Sequence, residues 1–181
     1  MKGQLIQIAG LPRSGTAFCS VALSLPPEAI GLHELAATDR HWKTTIDELL
    51  QEHRWVFDCG TYQYLPRASR PEARTVWLQK NPEVSRLRSN DVFGFNLKEN
   101  SFQSVHELAE KWAQDTRAIW VAEGTLFTIE TLEFLWAYSY QGAVAFPHRK
   151  IRHLLSMNIQ RQSPREIFTE ANGALMLKEA F

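Results

Sequence analysis

The stretch "IQIAGLPRSGTAFCS", Ile6 to Ser20, decides how the rest of the chain is read. An apolar run ends at Gly10, a short Pro-Arg-Ser-Gly turn follows, and a helix-compatible run begins near Thr16. A tight turn from strand into helix points backbone N–H groups outward at the positive end of the helix dipole, which suits an anion. Gly10 and Gly15 have four residues between them, the glycine spacing of the loop that cradles ATP phosphates. After Gly15 the match ends. Thr16 stands in place of the lysine that reaches the β and γ phosphates, and Ala17 in place of the magnesium-binding hydroxyl. The loop carries its cation earlier, at Arg13.

Outward from this loop the chain alternates short apolar runs with helix-like stretches. Strands are expected at Gln4 to Ala9, Ala29 to His33, Trp55 to Gly60, Thr75 to Gln79 and Ala118 to Gly124. Helices are expected from Gly15 to Leu25, from a cap at Thr38 or Asp39 to about His53, and from Pro82 to about Ser89. Further helices are expected from Ser101 or Ser104 to about Asp115, near Leu126 to Tyr138, and after Pro164. Strands that are apolar throughout and separated by helices imply an α/β fold with a mostly parallel central sheet of about five strands, flanked by helices. Ligands on such sheets sit beyond the carboxyl ends of the strands. Those ends carry the Pro12-to-Thr16 loop, His33 and Glu34, Asp58, Lys80 and Glu123.

Composition narrows the classes. The 181 residues suit a single domain spanning 1–181, and 44% hydrophobic content argues against disorder. Twenty basic residues balance twenty acidic ones, so no global field points to a nucleic-acid or membrane partner. The basic residues do cluster between Phe146 and Arg165, where Arg149, Lys150, Arg152, Arg161 and Arg165 occur without a carboxylate. Cys19 and Cys59 are too few for a metal set or disulfide framework and read as reduced core thiols. No run reaches the ~18 apolar residues of a membrane span, and the start lacks a signal-peptide core, so a cytoplasmic protein is expected.

"GLPRSGTA", Gly10 to Ala17, resembles the 5′-phosphosulfate loop of sulfotransferases that use 3′-phosphoadenosine 5′-phosphosulfate, PAPS. "VWLQKNPEV", Val76 to Val84, resembles the family's fourth-strand segment, where a basic residue before Asn-Pro begins the 3′-phosphate site. "IWVAEGTLFTIETLEFL", Ile119 to Leu135, resembles its strand–Glu–x–Leu–helix segment. "GLHEL", Gly31 to Leu35, falls where several bacterial members place an acceptor-site carboxylate. The ordered matches span roughly residues 4 to 137. The chain departs from the family pattern at Lys80, where arginine is usual, and eight residues on, where Arg88 replaces a serine. Ser85 and Ser89 are the serines nearby. The family's C-terminal Arg-Lys-Gly clamp has only "HRKIR", His148 to Arg152, as a counterpart.

The resemblance implies a three-layer P-loop kinase-like fold and transfer of a sulfuryl group from PAPS to a hydroxyl or amine of a small-molecule or carbohydrate acceptor, with no metal required. It implies a donor site formed by Pro12, Arg13, Ser14, Gly15, Thr16 and Ala17, completed by Lys80 and by Arg88 or Ser89. Arg13, charged and forked, suits the charge that grows on the bridging oxygen. Glu34 and His33 are both candidates for the base that removes the acceptor proton. Two alternatives stand beside this reading. The glycine spacing and Asp58 also suit a P-loop phosphotransferase acting on nucleosides or small metabolites, with Asp58 contacting magnesium. The short chain and altered serine spacing also suit a nucleotide-binding protein without catalysis.

Overall fold

The structure, a computed structural model, describes residues 3–61, 70, 72–94, 96 and 98–156. Five strands form one sheet: β1 (Gln4–Gly10), β2 (Ala29–His33), β3 (Trp55–Thr61), β4 (Arg74–Leu78) and β5 (Ile119–Val121), in the order β2-β3-β1-β4-β5. Every pairing is parallel, with Gln7 beside Asp58 on one side and Thr75 on the other. The central strand β1 therefore has its crossovers leaving in opposite directions. At that reversal the connecting loops part and leave a crevice at the carboxyl ends.

Alternation along the strands supplies both faces of the sheet. Ile6, Ile8, Phe57, Cys59, Val76 and Leu78 point to one side. They pack against Phe18 and Cys19 of α1 (Thr16–Ala22), Leu132, Leu135 and Trp136 of a later helix (Ile129–Tyr140), and Ile151 and Leu154 of the helix His148–Ser156. On the other side Leu5 and Val56 meet Ile46 and Leu50 of the helix Trp42–Glu52. Ala9 and Trp77 meet Phe102, Ala109 and Trp112 of the helix Glu99–Asp115. Three layers result, each buried Leu, Ile or Phe side chain contributing about 1.5–3 kcal/mol. Cys19 and Cys59 are free and buried. Among the described residues no helix is long and apolar enough to cross a membrane.

Several local expectations are corrected. The helix Glu99–Asp115 starts at Lys98 as its extended N-cap, so neither Ser101 nor Ser104 opens it. A four-residue turn of helix, Leu35–Thr38, follows Glu34, and Asp39 lies just beyond its end. The Asp39 carboxylate accepts from His41 N at 2.7 Å and Thr45 Oγ1, organising the approach to Trp42–Glu52. "HRKIR" lies on the helix His148–Ser156, an element that the sequence reading does not assign within its basic cluster. The helix expected after Pro164, with Arg161 and Arg165, falls outside the described residues.

Candidate functional site

The loop after β1 is built by short contacts. Ser14 N donates to Leu11 O at 3.1 Å, closing a turn, and Cys19 N donates to Gly15 O at 3.0 Å, starting α1. Arg13 has φ 66° and Gly15 φ 105°. A left-handed arginine costs about 1–2 kcal/mol, which surrounding structure must offset. Gly10 is required by close approach: a Cβ there would lie 2.1 Å from Ser14 Oγ. Gly15 answers both demands, since its Cβ would also lie 2.4 Å from Leu126 Cδ2. The segment after β5 is thus seated on the loop, with Phe127 edge-on to Phe18 at 5.1 Å.

The offset for the strained turn comes from the helix Pro82–Phe93. Fully buried Ser85 donates its hydroxyl to Pro12 O at 2.6 Å, tying the residue before Arg13 to the element after β4. That helix is capped by Asn81, whose Oδ1 accepts from Val84 N at 3.1 Å, with Pro82 in its first turn. Asn81 N in turn donates to Glu123 Oε2 at 2.8 Å, while Glu123 Oε1 pairs with Lys80 Nζ at 3.0 Å. The lysine's hydrogen bond holds the Glu123 carboxyl below its ordinary range. Glu123 thereby fixes both Lys80 and the start of the Asn-Pro helix.

Arg13, Ser14, Lys80, Arg88, Glu123, Leu126 and Phe127 line one cleft of about 240 Å³ between the β1 loop and the ends of β4 and β5. Three cations face a single carboxylate there. Ser14, 8% exposed, has a buried hydroxyl oxygen that meets no hydrogen-bond partner among the described residues. A buried hydroxyl left unpaired costs about 1–3 kcal/mol, which rotation of the Ser14 side chain from Gly10 onto a ligand oxygen in the cleft would relieve. Of the expected donor-site residues, Arg13, Ser14, Lys80 and Arg88 are brought together. Ser89 is not: it is fully buried and its hydroxyl donates to Ser85 O at 2.8 Å. Ala17 is half-buried against the cluster that contains Ile6, Ile8 and Phe18, and none of the "HRKIR" residues lines the cleft.

On the opposite flank of the loop, toward β2 and β3, lie the two candidate bases. Thr16 Oγ1 and His33 Nε2 are 3.2 Å apart, and His33 Nε2 lies 3.7 Å from Glu34 Oε1. Glu34, left-handed at φ 56°, accepts from Thr61 N at 2.8 Å and Thr61 Oγ1 at 3.2 Å. Burial pushes the His33 pKa down to about 4, which leaves a weakly basic imidazole. Burial pushes the Glu34 carboxyl upward, against the lowering pull of the two Thr61 bonds.

Asp58 does not close its strand as the sequence suggests. It sits within β3, 2% exposed, and accepts from Gln7 Nε2 at 3.3 Å. Burial lifts its carboxyl above the ordinary range, the arrangement of a structural polar pair under the sheet. Trp55 is a core residue against Tyr140, and Trp42 is half-buried between the two smaller clusters. Sequence reasoning missed the tether from Ser85 and the Leu126–Phe127 seat. Ser85 and Pro12 are 73 residues apart, and no local pattern connects them. No family model, no curated protein and no solved structure matches the chain.

Proposed function

We propose that the chain is a sulfotransferase that moves a sulfuryl group from PAPS to a hydroxyl or amine of a small-molecule or carbohydrate acceptor. The observation that carries this reading is the cleft in which Arg13, Lys80 and Arg88 converge beside the unpartnered Ser14 hydroxyl. Such a cleft suits a phosphate-bearing end of a nucleotide, and its loop resembles the phosphosulfate loop in the residues that distinguish it from an ATP loop. When bound, PAPS supplies the sulfuryl group, its sulfur–oxygen bond to the 5′-phosphate breaking as the acceptor oxygen or nitrogen bonds to sulfur.

The chain's own residues then have separable tasks. Backbone N–H groups of the loop, with the Ser14 and Thr16 hydroxyls, hold the 5′ end. Lys80 and Arg88 neutralise the second phosphate across the cleft. Arg13 offers its fixed positive charge to the leaving oxygen. Glu34, rather than the weakly basic His33, takes the acceptor proton, because burial raises its proton affinity above that of an ordinary carboxylate. Donor groups and base lie on opposite flanks of the loop, which suits an acceptor entering from the β2–β3 side. Asp58, sealed against Gln7, gives no support to a magnesium role.

Transfer of labelled sulfate from PAPS to an acceptor panel tests the reading. Arg13→Ala should abolish transfer. Glu34→Gln should retain nucleotide binding and lose about 10²–10⁴-fold in turnover, the usual worth of a general base. Full activity in Glu34→Gln removes Glu34 from the mechanism. Magnesium-dependent ATP turnover, with no sulfate transfer, replaces the proposal by the phosphotransferase reading.

A further inference from the structure

Thr16 is the residue that most separates this loop from an ATP loop, and its hydroxyl is engaged from below. His33 Nε2 lies 3.2 Å from Thr16 Oγ1 and 3.7 Å from Glu34 Oε1, so one ring nitrogen faces two oxygens. Both Glu34 oxygens already accept from Thr61, its N–H on Oε1 and its hydroxyl on Oε2. Oε1 therefore meets the imidazole as an acceptor. A bare Nε2 lone pair pointed at it would be repelled, whereas an Nε2–H is attracted by both oxygens.

We infer that His33 is a positioning residue of the loop: its neutral ring, steered by the Glu34 carboxylate, carries its proton on Nε2 and gives that hydrogen bond to Thr16 Oγ1. The Thr16 hydroxyl, having accepted, directs its own proton to an anion in the loop. In the opposite tautomer Thr16 would spend its proton on Nε2 and meet the anion with a lone pair. The relay Glu34–His33–Thr16 thus sets whether the loop's hydroxyl attracts or repels a phosphate or sulfate oxygen. The low basicity of His33 is consistent with this, because at neutral pH the ring holds one proton whose place must be chosen. The groups around the relay include Thr16 on α1, and Asp58, Cys59 and Thr61 on β3; burial pushes the Glu34 carboxyl upward, Thr61 pulls it down, and the nearby Asp58 adds a smaller upward push. The inference rests on the loop being an anion site, and assigns His33 a role other than the base.

The tautomer can be read directly, without ligand, from the nitrogen-15 shifts of the His33 ring in the intact chain, assigned by comparison with His33→Gln. An Nε2–H signature at neutral pH is expected, and Glu34→Ala, which removes the oxygen facing the ring, should reduce it; Glu34→Gln, whose amide oxygen is held at the Oε1 place by Thr61 N–H, should keep it. An Nδ1–H signature in the wild type overturns the relay, as does a tautomer indifferent to Glu34→Ala. The second arm measures calorimetric affinity for 3′-phosphoadenosine 5′-phosphate. His33→Leu should weaken it on the order of tenfold, the worth of one hydrogen bond to a charged group. His33→Gln, which keeps an N–H donor near the Nε2 position, should restore most of it. Equal affinity in His33→Leu and wild type refutes the relay. A wild-type chain that binds no such nucleotide counts against the anion site, and the ring tautomer then decides the relay alone.

Discussion

Removing one hydroxyl, in Ser85→Ala, should damage both stability and nucleotide affinity. Ser85 is fully buried and gives its only side-chain proton to Pro12 O at 2.6 Å. Losing the bond costs about 0.5–1.5 kcal/mol, and stranding a buried acceptor about 1–3. Pro12 is half-buried, so its carbonyl recovers some hydration, and a total of about 1–2 kcal/mol follows. For a chain of this size that is roughly 2–8 °C in Tm. The tether also holds the residue next to Arg13, whose φ is 66°. Freed, the loop must be re-ordered by its ligand, and 1.4 kcal/mol of ordering costs about tenfold in affinity. Ser89→Ala is the internal control. Ser89 is equally buried, but its hydroxyl donates within its own helix to Ser85 O, so it should lower Tm and leave affinity alone. Calorimetric unfolding with titration of 3′-phosphoadenosine 5′-phosphate reads both quantities. If the two variants lose affinity equally, or neither does, the tether has no bearing on the loop.

Gly31→Ala should be among the most disruptive single changes. Its Cβ would fall 1.8 Å from Ser20 O, a backbone atom of α1 that cannot swing aside, so a loss above about 3 kcal/mol is expected; a Tm near wild type would show that α1 is not packed as described. Lys80→Met should behave oppositely, weakening 3′-phosphoadenosine 5′-phosphate binding about tenfold with little change in Tm, because the Lys80–Glu123 pair lies at a partly exposed edge. A large Tm loss without an affinity loss would make Lys80 structural. Asp58 bears on pH. Its folded pKa lies above the ordinary 3.8, so its contribution to stability is full below that value and shrinks as pH rises through the raised folded value. The stability of Asp58→Asn relative to wild type should therefore increase between acid and neutral pH, measured by denaturant titration, and a pH-independent difference would contradict the assignment.

The strands were legible because their signal is local. "AIGLH" is bounded by Pro26-Pro27 before it and by the left-handed Glu34 after it, and its observed limits, Ala29–His33, match those read from sequence. The glycine pair marked the loop for the same reason: Gly10 and Gly15 are needed where no Cβ fits. What could not be read was set by distant partners. Asp58 looks like a strand terminus from its own neighbours, and only Gln7, 51 residues away, makes it an interior polar pair. Ser85 and Ser89 are indistinguishable by spacing, yet one holds the loop and the other its own helix. The helix His148–Ser156 did carry a signal, apolar Ile151, Leu154 and Leu155 at helical intervals, hidden by the basic residues between them.

The cleft is proposed to hold a 3′-phosphorylated nucleotide without relying on ATP-loop chemistry. The most direct measurement is the melting temperature of the intact chain with 3′-phosphoadenosine 5′-phosphate and, separately, with ATP and magnesium. At about 100 times its dissociation constant the former should stabilise by about 2.7 kcal/mol. That is roughly 5–10 °C for a domain of this length. A clear rise with 3′-phosphoadenosine 5′-phosphate, larger than any with ATP and magnesium, is the predicted result. A rise with ATP and magnesium and none with 3′-phosphoadenosine 5′-phosphate would contradict it.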